Sequence, residues 1–182
     1  MLSFNPDIHT RQTGPEVARI QSIVQRLHNT LRHDQVVQQT TDRLRDFLKV
    51  DRVVLYYFHK QWEGRVTFES LSDSQFSILG MTGPDQCFSE EYASLYFNGR
   101  VSATDNIETA DIAPCHRDFL KALKVRSNLV VPILPTADEK KTLWGLLVAH
   151  HCREIRPWLT DDIEQMQAGA EALAKASSIR DS

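Results

Sequence analysis

SNLVVPIL (127–134) and LWGLLVAHH (143–151) are two almost wholly apolar runs, separated by the polar stretch PTADEKK (135–141). Short apolar runs bounded by polar residues and proline predict buried strands joined by a hairpin loop. Upstream, RVVLYYFH (52–59) is rich in β-branched and aromatic residues, VTFESL (66–71) alternates, and KQWEG with Gly64 between them suits a turn. The sequence therefore predicts a mainly antiparallel sheet built from these four strands, with a short strand at VSAT (101–104).

Helical spacing occupies both ends. Val17, Ile20, Ile23, Val24, Leu27 and Leu31 share one face, and Pro15 suits a first helical turn. Asp34 is placed to N-cap a second helix with Val36, Val37, Leu44, Phe47 and Leu48 on its apolar side. A final helix is expected from about Thr160, where Asp161 and Asp162 complement the positive end of a helix dipole. Shorter helices are expected over 89–99 and 116–125, and the stretches 72–88 and 105–114 read as loops. Strands and helices that do not strictly alternate predict an α+β fold. Residues 1–15 read as an N-terminal tail and 16–178 as a single domain with helical ends.

A net charge of −3 with no basic block argues against nucleic acid or anionic membrane as the main partner. No apolar run reaches membrane-spanning length and the first residues lack a signal-peptide core, so a cytoplasmic location is expected. Three cysteines do not make a secreted disulfide framework. Cys87 lies in the irregular loop, within DQCF (85–88), and Cys115 sits just before a short helix, directly before His116. A thiol at a helix N-terminus can have a lowered pKa. Each is nonetheless as easily a small core residue as a reactive one. Cys152, after an apolar strand, reads as structural. His150 and His151 adjoin on a strand, so at most one enters any given pocket. A zinc site from Cys87, Cys115, His116 and His150 lacks paired ligand spacing. A redox disulfide between Cys87 and Cys115 needs only that two loops meet. No phosphate-binding glycine loop or nucleophile–base motif is present, and the protein is not expected to be an enzyme.

The segments CHRDFLKALKVRSNLVVPIL, LWGLLVAHHC and RPW, with DRVVLYYF, WEGRVTFESL and EEYASLYFNGRVSATDNIETADIAPCH, resemble the bilin-binding GAF domains of phytochromes and cyanobacteriochromes. The resemblance covers about residues 30–178, and DQCF is similar to the Asp-X-Cys-Phe motif of one cyanobacteriochrome subgroup. It implies a GAF fold, terminal helices on one sheet face and bilin-pocket loops on the other. It implies a phycocyanobilin or phycoviolobilin chromophore held by a thioether at Cys115. It further implies that Cys87 adds reversibly to the central methine carbon, giving a blue- or violet-absorbing 15Z state. The 15E photoproduct is then green-, teal- or orange-absorbing. Asp85 would hold pyrrole N–H groups, His116 the central rings, and His150 ring D or a propionate. Arg126 or Arg100 would pair propionates. Phe88 belongs to the motif, and Tyr56, Phe58, Tyr92, Tyr96 and Trp144 are aromatic candidates for the pocket wall. The helices at 16–32 and 160–178 would carry a signal to a downstream domain or a homodimer partner.

Overall fold

The computed structural model describes residues 14–83, 90–137 and 139–182. Two helices, α1 (Pro15–Leu31) and α2 (Gln35–Leu48), lead into the hairpin β1 (Arg52–Lys60) and β2 (Glu63–Leu71). A 3-10 turn at Ser74–Phe76 follows, then α3 (Glu90–Phe97), β3 (Ser102–Thr104), α4 (Pro114–Ala122) and β4 (Ser127–Ile133). A small hairpin, β5 (Thr136–Ala137) and β6 (Lys140–Lys141), connects to β7 (Gly145–His151), and α5 (Thr160–Lys175) and α6 (Ser177–Arg180) complete the fold. The stretch 135–141, expected as plain loop, thus carries a two-stranded ribbon of its own.

The main sheet has the order β2-β1-β7-β4-β3 and every pairing is antiparallel. Side chains alternate across it, because successive Cβ atoms leave opposite faces of a strand. Val53 and Leu55 of β1, Leu129 and Val131 of β4, and Leu147 and Ala149 of β7 pack in one core with α1, α2 and α5. Their neighbours Val54, Val130, Leu146 and Val148 join a second core with Tyr96, Ile107, Leu120 and Leu123. Burial on both faces explains why the central strands read as continuous apolar runs rather than alternating ones.

The terminal helices cover one face, as the resemblance implies. α1 and α2 are separate. Asp34 accepts from the backbone N–H of Val36 at 2.9 Å and of Val37 at 3.4 Å. Its other oxygen accepts from the Ser178 hydroxyl at 2.6 Å, tying α2 to the C-terminal α6. Burial alone would raise the Asp34 pKa, but these hydrogen bonds outweigh it and hold the carboxyl below its ordinary value. Asp34→Ala removes the cap and the tie together, and should cost about 1–2 kcal/mol in chemical denaturation. A loss below the error of that measurement would contradict the assignment. At the other end Asp162 accepts from the Leu159 N–H at 2.9 Å and pairs with Arg156 at 2.5 Å, fixing the start of α5.

Candidate functional site

The face opposite the terminal helices opens into a cleft of about 1230 Å³, its open mouth included. Its floor is the outward set of sheet residues, Val54, Val66, Val130, Leu146 and Val148. α3 supplies Tyr92 and Tyr96 to the wall, α4 supplies His116, Phe119 and Leu120, and the stretch before α4 supplies Asp111 and Ile112. The floor is greasy because these strand positions fall on the cleft face; the polar groups enter at a few discrete points.

Several of the expected residues meet here. Tyr56, Tyr92, His116 and His150 all line the cleft. The Tyr56 hydroxyl accepts from the Gly83 N–H at 2.9 Å, and Gly83, which also lines the cleft, directly precedes the segment that holds DQCF. Asp85, Cys87 and Phe88 lie outside the described residues. Cys115 is exposed at the second residue of α4, one position before His116, and is disulfide-bonded. Cys152 is a free cysteine, half-buried, and its thiol is pushed up by burial. The two adjacent histidines part company as alternation demands. His150 enters the cleft, while His151 Nδ1 lies 3.5 Å from Asp51.

Three expectations need correction. Arg126 is exposed and does not line the cleft. It precedes β4, and its backbone, not its side chain, is engaged, with its N–H donating to the His151 carbonyl at 2.8 Å. Arg100 is the guanidinium at the cleft, 5.6 Å from the Tyr92 ring centroid and 5.9 Å from that of Tyr96. Trp144 stands just before the β7 ladder and turns into the helix-side core, 5.0 Å from the Tyr57 ring, with its indole N–H donating to Ser182. Phe58 packs edge-on between Tyr56 and Trp62 rather than lining the wall. Among the described residues, no group of three or more His, Cys, Asp or Glu side chains could hold a metal ion.

Two polar residues matter that the sequence does not flag. Asn128 lines the cleft, only 4% exposed, and its side-chain oxygen is buried without a partner among the described residues. It stands directly opposite His150 across the β4–β7 ladder. Arg52, 1% exposed, donates from Nε to His150 Nδ1 at 2.9 Å. The only sequence signals are one charged and one amide residue near the starts of β1 and β4, each followed by an apolar run. Such residues are seldom fully buried unless paired.

His116 is held below the ordinary histidine range by burial. His150 is held well below it by burial first, then by the charge of Arg52 and by His116. Both imidazoles are therefore neutral near pH 7. The sign of the pH effect follows. The unfolded His150 protonates near pH 6.5 whereas the folded one does not, so acid favours the unfolded chain. The contribution is whole above that pH and declines below it, by at most about 1.4 kcal/mol per pH unit. Stability measured for the wild type relative to His150→Gln should fall as pH drops from about 6.5 to about 5. A difference constant over that range would contradict the buried neutral state.

The model of the GAF domain family matches residues 32–176. The chain is a GAF domain. This GAF domain is 49% identical over 150 residues to a protein of Picosynechococcus sp., covering 82% of this chain and 90% of that one. It is 35% identical over 158 residues to a putative methyl-accepting chemotaxis protein of Synechocystis sp., covering 86% of this chain but only 15% of that protein's length. Among solved structures, the blue-light absorbing form of the Thermosynechococcus elongatus PixJ GAF domain is 31% identical. The match has a TM-score of 0.66 and covers 90% of this chain and 88% of that one. The phycocyanobilin-bound GAF domain of a cyanobacterial phytochrome is 28% identical, with a TM-score of 0.67, covering 88% and 94%. The GAF domain thus has the fold of bilin-binding photoreceptor domains over nearly its whole length.

Proposed function

We propose that this GAF domain is a photosensory module that binds a linear tetrapyrrole covalently at Cys115. The observation that carries the reading is the cleft itself. It is apolar-floored, the helix bearing Cys115 forms part of its wall through His116, and its lining holds a buried acceptor on the residue opposite a neutral histidine. The orphaned Asn128 oxygen fits the group. A buried acceptor costs roughly 1–3 kcal/mol unless a donor reaches it, and pyrrole and lactam N–H groups are such donors. Tyr92, Tyr96 and the apolar floor suit a flat conjugated ligand. Arg100 is the cation available to a propionate. A bilin supplies visible absorption and a double bond that isomerises in light.

The residues of this chain have distinct tasks. Cys115 would anchor the group: its S–H would add across a ring A double bond, sulfur taking one carbon and the proton the next. That step needs a free thiol, so the disulfide at Cys115 must first be reduced. His116 and His150 remain neutral, supplying hydrogen bonds rather than charge. Asp85, as a carboxylate, would accept from pyrrole N–H groups, and the Cys87 thiol would add reversibly to the central methine carbon. Phycocyanobilin or its isomer phycoviolobilin is the pigment, and no catalytic turnover is involved beyond the domain's own attachment reaction. No helix among the described residues is long and apolar enough to cross a membrane. The Synechocystis relative, far longer than this chain, supports a place within or beside a signalling protein, with α1 and α5 as the outlet to a downstream domain or a second copy.

The disulfide favours one second reading, a redox-sensing GAF domain that uses Cys115 without pigment. Co-expression with a bilin-producing pathway under reducing conditions separates the two. Pigment that stays on the chain in a denaturing gel supports the photosensor. Colourless protein whose thiols oxidise reversibly supports the redox sensor.

A further inference from the structure

The side chain of Arg52 is almost completely enclosed, and its three recorded hydrogen bonds all go to neutral acceptors. Nε donates to His150 Nδ1 at 2.9 Å, Nη1 to the Phe76 carbonyl at 2.8 Å and Nη2 to the Leu123 carbonyl at 2.8 Å. A guanidinium has five N–H donors and no acceptor, and it does not deprotonate in a protein. Its contact with Nδ1 is therefore possible only when Nδ1 carries no proton. Asp51 and Glu69 act on it by charge, but its hydrogen bonds among the described residues reach no carboxylate; a buried cation so held is costly, and a plain tie between loops does not require one.

We propose that Arg52 is a positioning residue that locks His150 in the Nε2–H tautomer and so presents one fixed hydrogen-bond donor to the cleft. Arg52 does not line the cleft and His150 does, so Arg52 acts only through the imidazole. With Nδ1 occupied from behind, Nε2–H is the polar atom His150 has left to offer, on the residue directly across the ladder from Asn128. Donor and acceptor are thus carried by opposed residues that both line the cleft. The other two Arg52 bonds hold the 3-10 turn at Ser74–Phe76 and the C-terminal residue that caps α4. The same guanidinium thereby fixes the distance between His150 and the helix that carries Cys115. Ordinary histidines exchange tautomers freely; the ring orientation of a functional one is set by what its second nitrogen meets.

The inference rests on the proposed bilin function for its purpose but not for its test. The tautomer is read in pigment-free protein from long-range ¹H–¹⁵N correlation spectra, with His150 assigned by its loss in His150→Gln. Wild type should show a single Nε2–H form near pH 7. Arg52→Lys keeps a donor-only group toward Nδ1 and should keep that form. Arg52→Gln offers both a donor and an acceptor, and should produce Nδ1–H or a mixture. An Nδ1–H or mixed ring in the wild type would overturn the proposal, and so would an Arg52→Gln protein with an unchanged pure Nε2–H ring. The wild-type spectrum decides the first point even where Arg52→Gln does not fold.

Discussion

Cys115→Ala is expected to give a folded GAF domain with no covalently bound pigment. Zinc-induced fluorescence on a denaturing gel should fall from a stoichiometric band to background after co-expression with a bilin pathway. Cys115 is exposed, so once its disulfide has been reduced, trimming the side chain costs little; substitutions at such sites usually change stability by less than about 0.5 kcal/mol. Its position is what matters. It occupies the first turn of α4, next to His116 in the cleft wall. Cys152 cannot stand in, because it follows β7 and does not line the cleft. A fluorescent band of wild-type strength from Cys115→Ala would refute the anchor and move the covalent bond elsewhere.

Cys87→Ala should act on colour rather than attachment. The pigment should remain on the chain while the blue- or violet-absorbing state disappears, leaving only longer-wavelength bands. On the proposed reading, addition of the Cys87 thiol to the central methine carbon would interrupt the conjugation that carries visible absorption into the green or orange. Without that thiol the conjugation would stay continuous in both photostates. Cys87 lies outside the described residues, yet the segment's flanks are set at the cleft. Gly83 is held there by Tyr56 on one side, and Tyr92 of α3 lines it on the other. An unchanged absorption spectrum would mean that DQCF has no part in the photochemistry.

How far the sequence led can be judged at single residues. Asp34 announced its helix because a capping carboxylate before an apolar-periodic run has few other uses, and the structure shows the cap. The separation of His150 from His151 followed from alternation alone, which is rigid geometry. Arg126 and Arg100 could not be ranked from sequence, since each is a long side chain near a strand end and only packing decides which turns inward. Trp144 misled for a related reason: it precedes the ladder, where alternation no longer governs direction. Arg52 and Asn128 stayed hidden because each is one polar residue in a run whose apolar neighbours dominate the pattern. Their meaning lies in a cross-strand neighbour and in carbonyls 24 and 71 positions away.

The most direct test is the absorption spectrum of the domain, co-expressed with a bilin-producing pathway, before and after blue light. A light-reversible exchange of a blue or violet band for a green, teal or orange one is the predicted result. Covalently coloured protein whose spectrum light leaves unchanged would contradict the photosensor.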